Sequence, residues 1–209
     1  MRRGTPAEQE ALAALRHFHV EACRIADGAG LLRFGEWKNR SAWFIADPGG
    51  RTAQARRMDG LPWPEIEAKA QTLHGSWSSW PIGAGHGDYQ RILFCEGGPD
   101  MLAALHFGYV HGPADFGIVG MLGAGQRIHP NALPWFANKR VRIFGHGDTS
   151  GRQAAQRWAA QLRGVGCKVD AVDCGGYKLN GGAVSNDLND LCRVENQSDL
   201  EGLLPNEND

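Results

Sequence analysis

Acidic side chains recur directly after apolar runs in this chain. Glu96 and Asp100 stand in Glu96-Gly97-Gly98-Pro99-Asp100, after Ile92-Leu93-Phe94-Cys95. His146 and Asp148 stand in Gly145-His146-Gly147-Asp148-Thr149-Ser150-Gly151, after Val141-Arg142-Ile143-Phe144. Asp187 and Asp190 stand in Asn186-Asp187-Leu188-Asn189-Asp190, inside a polar stretch. Five carboxylates gathered on one rim repel one another unless a divalent cation sits among them. Hard oxygen ligands with open water positions suit magnesium and phosphate chemistry. His146 departs from that set, because imidazole is softer and favours transition metals. The glycines after Glu96 leave room for a phosphate close to the backbone.

The elements that carry these residues follow a simple order. From residue 91 the periodicity predicts a strand over 92–95, a helix over 99–107, a strand over 116–122 and a short helix over 130–137. A strand over 141–144, a helix over 150–163 and a strand over 169–172 follow. Such alternation predicts an α/β fold with a parallel central sheet flanked by helices. Ligands on these sheets bind beyond the carboxyl ends of the strands, where the acids fall. Upstream, Thr5, Pro6 and Glu8 form a helix start, and Leu12, Leu15, Phe18, Ala22 and Ile25 continue its apolar face to about residue 26. Strands are predicted over 31–37, 42–46 and 51–58, the last two joined by the turn Asp47-Pro48-Gly49-Gly50. We therefore divide the chain into a small mixed α+β lobe with its helix (1–86), an α/β domain (87–193) and a polar tail (194–209) expected to fray.

Composition narrows the function. The 209 residues carry 22 Lys+Arg and 23 Asp+Glu, a formal net charge of −1. That excludes a charge-driven coat protein for nucleic acid but not a local basic face. Residues 1–86 hold 11 basic and 9 acidic side chains, and residues 87–209 hold 11 and 14. The front is thus slightly basic and the α/β part acidic. Five cysteines with no C-x-x-C pair predict a reduced, cytoplasmic chain without structural zinc. No apolar run approaches the ~20 residues that span a bilayer, so no membrane role is expected.

The segments around Glu96 and Asp148 resemble the Toprim domain of DnaG-type and phage primases. That family pairs a strand ending in glutamate, often E-G-x-x-D, with a second strand ending in D-x-D and a trailing glycine. Glu96 matches the glutamate, Asp148 the second aspartate and Gly151 the glycine. Asn186–Asp190 resembles the primase-type K-D-x-N-[DE] motif, with Asn186 in place of lysine. His146 stands where the first aspartate belongs. The resemblance covers about residues 90–193 and implies a Rossmann-like Toprim fold. It implies Glu96 as general acid/base and Asp100, His146, Asp148, Asp187 and Asp190 around one or two Mg2+ or Mn2+ ions.

The front lobe resembles the primase segment before Toprim more loosely. That likeness assigns Arg51, Arg56, Arg57 and Lys69 to nucleic-acid contact. The implied function is that of a phage or mobile-element primase-like protein in DNA replication, acting on single-stranded DNA and nucleotides by metal-assisted nucleotidyl transfer. A replicative helicase is the expected partner, since the chain itself has no G-x-x-x-x-G-K-[ST] run. A Toprim nuclease and a binding module whose site has decayed at His146 are the alternatives.

Overall fold

A computed structural model describes residues 1–111 and 115–204. The expected first helix is two helices. Helix α1 (Pro6–Arg16) starts as the capping box predicts, with the Glu8 N–H donating to the Thr5 hydroxyl and the Glu8 carboxylate accepting from the Thr5 N–H. It ends at His17, which adopts a left-handed conformation (φ 62°). The His19 side chain then caps helix α2 (Val20–Gly28) by accepting the Glu21 N–H. Phe18 between them is buried, so the apolar period runs on while the backbone turns.

Strands β1 (Leu32–Trp37), β2 (Arg40–Ala46), β3 (Ala53–Arg57) and β4 (Ala70–Thr72) form an antiparallel sheet in that order. Lys38 and Asn39 turn β1 into β2 with φ of 51° and 57°, the paired positive angles that match strand twist in a two-residue hairpin. β4 lies in the segment where the sequence shows little periodicity. Three residues are too few for a pattern, and its pairing to β3 is tertiary.

The second sheet is parallel, as expected, and flanked by helices. It contains β5 (Arg91–Cys95), β6 (Gly117–Gly120), β7 (Arg140–Gly145) and β8 (Lys168–Asp173), in the order β6-β5-β7-β8. Helix α3 (Gly98–Val110) follows β5, the short α4 (Leu133–Phe136) precedes β7, and α5 (Thr149–Arg163) follows it. One core lies between this sheet and α1–α3 and takes in Trp43 and Ile45 of β2. A second lies under α5, around Phe94, Phe136 and Trp158, and a small third one packs Trp63 against Ala42, Phe44 and Ala55. The chain moves outward from β5 to β6, then returns to place β7 on the other side of β5. That reversal is a switch point, and it sets the carboxyl ends of β5 and β7 side by side.

The tail packs further than its polarity predicts. Val194, Leu200 and Leu203 are buried in the first core, and Arg142 donates to the carbonyls of Gly202 (2.8 Å) and Leu203 (3.2 Å). Three well-spaced apolar residues suffice to dock it through Leu204. Residues 205–209 of the expected tail lie outside the described residues.

Two contacts here make predictions. A Cβ at Gly98 would lie 2.5 Å from Ile45 Cγ1, so α3 rests its first turn directly on β2. Gly98→Ala is expected to cost about 2 kcal/mol by overpacking, seen as a lower urea midpoint. An unchanged midpoint would mean that α3 shifts freely. The second contact is His106, whose Nδ1 accepts the His19 backbone N–H at 3.0 Å. Burial, then the neighbouring His19 and His111, lower its pKa to about 4. The folded state therefore holds His106 neutral where an unfolded imidazole, titrating near pH ~6.5, binds a proton. Its contribution is complete above that pH and is lost as pH falls toward 4. The urea midpoint should drop between about pH 7 and about pH 4.5, and drop less in His106→Asn, which keeps an acceptor without a titrating ring. Equal drops in both proteins would rule His106 out as the source.

Candidate active site

The switch point delivers acids from two strands to one place. β5 ends at Cys95 beside Phe144 of β7, so Glu96 leaves its strand level with Gly145 and His146 follows one residue further on. Gly97 then starts α3 without a side-chain cap, and Asp100 falls in its first turn. Asp100 is almost wholly buried. Its Oδ2 accepts from His146 Nε2 at 3.0 Å, and its Oδ1 accepts the Asn189 backbone N–H at 3.1 Å. Glu96 Oε1 lies 3.4 Å from His146 Nδ1, while Glu96 Oε2 is buried with no hydrogen-bond partner among the described residues. Asp187 Oδ1 accepts the Asp190 N–H at 2.7 Å, and Asp190 pairs with Arg193. One cavity of about 570 Å3 takes in Glu96, Asp100, His146, Asp187 and Asp190.

The opposite wall is cationic and comes from the front of the chain. Arg16 at the end of α1, Arg56 on β3 and Lys69 beside β4 line the same cavity. The Arg16 and Arg56 guanidinium carbons lie 5.6 Å and 6.0 Å from the Trp43 ring centroid. The Nε atom of each is buried with no hydrogen-bond partner among the described residues. Arg16 is fixed in place because its carbonyl accepts from Asn189 Nδ2 at 2.8 Å. The third acidic segment thus holds both walls: its backbone binds Asp100 and its side chain binds the end of α1.

The electrostatics reflect this crowding. Burial pushes the Glu96 carboxyl up, against the pull of His146, and the charges of Asp100 and Asp148 add to the rise. Burial and the charges of Asp100 and Asp190 likewise raise Asp187. Burial alone would lower His146, but the hydrogen bond and charge of Asp100, then Glu96 and Asp187, carry it up to about 9. The imidazole is therefore a cation at neutral pH and offsets part of the acidic cluster. Burial, then the charge of Arg16, lowers Arg56 to about 10, and burial lowers Arg16.

The predicted site residues divide into groups. Glu96, Asp100, His146, Asp187, Asp190, Arg56 and Lys69 share the cavity. Asp148 is exposed and caps α5, accepting the Gly151 N–H at 2.7 Å, which holds its carboxyl below the usual range. It does not line the cavity. Arg51 pairs with Asp47 at 3.1 Å and lies over Trp80, away from the acids. Arg57 points to the other face of β3 from Arg56 and is buried, donating to Asp59 (2.9 Å) and to the Pro62 carbonyl (2.8 Å). Arg16, Asn189 and Arg193 complete the site without having been singled out. Asn189 lies inside a recognisable acidic motif. Arg16 gives no local signal, because a basic residue in a last helical turn is ordinary dipole chemistry.

Asp100, His146 and Asp187 form a group able to hold a metal ion, each offering a ligand atom within 4.8 Å of the others. Two carboxylates and a neutral imidazole suit a divalent cation with a mixed oxygen and nitrogen shell, so binding would displace the proton that His146 otherwise holds. The buried, unpartnered Glu96 oxygen beside them fits the same chemistry.

Comparison with known proteins places the fold. No protein-family model matches the chain, and no curated protein sequence matches it. Solved structures do. The primase fragment of the bacteriophage T7 primase-helicase aligns with a TM-score of 0.53 at 19% identity, over 85% of this chain and 66% of that one. The T7 primase domains solved with lagging-strand DNA polymerase, an RNA/DNA hybrid and dTTP give 0.52 at 18% identity, over 76% of each chain. The zinc-binding and RNA polymerase domains of Aquifex aeolicus primase give 0.51 at 17%, over 77% of this chain and 48% of that one. The chain thus shares the fold of these primase fragments and spans just under two thirds of the T7 fragment. No helix among the described residues is long and apolar enough to cross a membrane.

Proposed function

We propose that this chain is a Toprim primase-like protein of phage or mobile-element type, joining nucleotides on a single-stranded DNA template. The observation that carries the reading is one cavity with an acidic wall from the parallel sheet and a cationic wall from α1 and β3. A nucleoside triphosphate needs both, since its phosphates are balanced by cations while its reacting oxygens need a metal and a base. The likeness to primase folds supports the same reading, as does the match of Glu96 and the third acidic segment to the family's motifs. In this account residues 1–86 form the lobe that faces nucleic acid and 87–193 the Toprim domain.

The geometry supports a division of labour. Asp100, His146 and Asp187 would hold Mg2+ or Mn2+, which supplies charge neutralisation at the phosphates. Arg16 and Arg56 face the polyphosphate as half-buried guanidinium groups, each with its Nε already out of water. Lys69, exposed at the rim, tracks the template backbone. Glu96, which lines the cavity, accepts the proton of the 3′-hydroxyl as that oxygen bonds to the α-phosphorus and pyrophosphate departs. Asn189 orients Asp100 and the end of α1 together. Asp148 acts at one remove, by fixing the start of α5 and hence the loop that carries His146. A replicative helicase and single-stranded DNA are the proposed partners, and the cytoplasm the proposed compartment.

The test is product analysis with single-stranded DNA, labelled nucleotides and Mg2+ or Mn2+. New oligonucleotides are expected, and Glu96→Gln should reduce their rate by about 10²-fold or more, the scale of losing a positioned base. Shortened DNA would instead mark a nuclease, and DNA binding without turnover a decayed module.

A further inference from the structure

The opposite end of the parallel sheet carries a second, unrelated charge pattern. Arg91, Arg140 and Lys168 begin β5, β7 and β8, and the register sets them directly beside one another: Arg91 against Arg140, Arg140 against Lys168. Like charges opposed across strands are destabilising. None of the three takes part in an ion pair or side-chain hydrogen bond among the described residues. The next row on the same face shows that the fold does compensate charge elsewhere. There Arg142 sits beside Asp170 and binds it at 2.6 Å. A cleft of about 300 Å3 opens along this row; Ile92, Val141 and Val169 line it, together with the Arg142–Asp170 pair.

β8 is the edge of this sheet, and four of its six residues are exposed. Apart from the Val169 carbonyl, which accepts from Arg163 Nη2 at 3.2 Å, its outer N–H and C=O groups are a template for another strand. Nucleic acid would answer the cations but neither the free strand edge nor the apolar backing. A peptide answers all three.

The geometry points to β8 and the Arg91–Arg140–Lys168 row as a docking site for an extended acidic peptide of a partner protein, added as a fifth strand of the sheet. Its alternate side chains divide by face, as strand geometry requires. Acidic ones meet Lys168 and Arg140, and apolar ones lie toward Val169 and Ala171. This site lies across the sheet from the acidic cavity and does not depend on the chemistry proposed there.

Fluorescence anisotropy with a labelled Asp-Val-Glu-Val-Asp-Val peptide tests it on the full chain. Binding is expected in the micromolar range, falling about tenfold or more in the Arg140→Glu/Lys168→Glu double variant and weakening with salt. The same peptide with Asn and Gln for its acids should not bind. Because both residues are exposed and mutually repelling, Arg140→Gln alone should leave thermal stability equal or higher while weakening the peptide. This second variant keeps the test independent of folding. No peptide binding up to about 1 mM, or binding indifferent to the double reversal, overturns the proposal. So does an oligothymidylate that binds in place of the peptide and is lost in the double variant. A dimer of this chain that the double variant dissolves would equally overturn it, by making the occupant a second copy.

Discussion

Asp100→Ala is expected to destabilise the protein by about 3 kcal/mol and to abolish nucleotide joining. Asp100 is buried at the start of α3 and accepts from both His146 and the Asn189 backbone. Alanine strands the imidazolium beside Glu96 alone and leaves a buried N–H without an acceptor, the two circumstances in which removing one partner is most costly. The loss also frees the third acidic segment, so Arg16 loses its anchor from the far wall. Chemical denaturation should report the stability change. Asp190→Asn, which alters a half-exposed acid of the same segment, should shift the midpoint far less. Equal shifts would mean that Asp100 does not knit the site together.

His146→Asp is the second large effect, and its sign depends on the cation. In the free protein the variant replaces the imidazolium with a fifth acid among Glu96, Asp100, Asp187 and Asp190. The melting temperature should fall by several degrees, on the scale of about 4 °C for each kcal/mol. Millimolar Mg2+ should then restore it, because an all-oxygen set suits that ion better than the wild-type mixture. The wild-type protein should be stabilised more by Mn2+ than by Mg2+. If the variant melts as the wild type does without metal and ignores both ions, His146 is only a rim residue.

The sheet that carries the site was legible because its signals are local. Apolar runs of four residues, glycine turns and a capped amphipathic helix each speak for themselves, and their alternation leaves few topologies. Glu96, Asp100 and Asp148 were legible for the same reason, since they follow strands, while Asp187 and Asp190 showed only as an acidic motif in a polar stretch. What escaped is whatever depends on contact between distant segments. Arg16 reads as a helix-end charge until Asn189, 173 positions on, binds its carbonyl. Arg56 and Arg57 look alike in sequence, yet strand alternation sends one into the cavity and the other to Asp59 and Pro62. Asp148 matched a family motif, and its carboxylate caps α5. The break at His17 was hidden because the apolar period on either side continues in phase.

The central claim is that Asp100, His146 and Asp187 hold a divalent cation facing Arg16 and Arg56. Mn2+ titration followed by electron paramagnetic resonance measures this most directly, in the wild type and in Asp187→Asn. The account predicts bound Mn2+ in the wild type and at least about tenfold weaker binding in the variant, since a carboxylate ligand is lost. Mn2+ bound equally well by both proteins, or by neither, would contradict it.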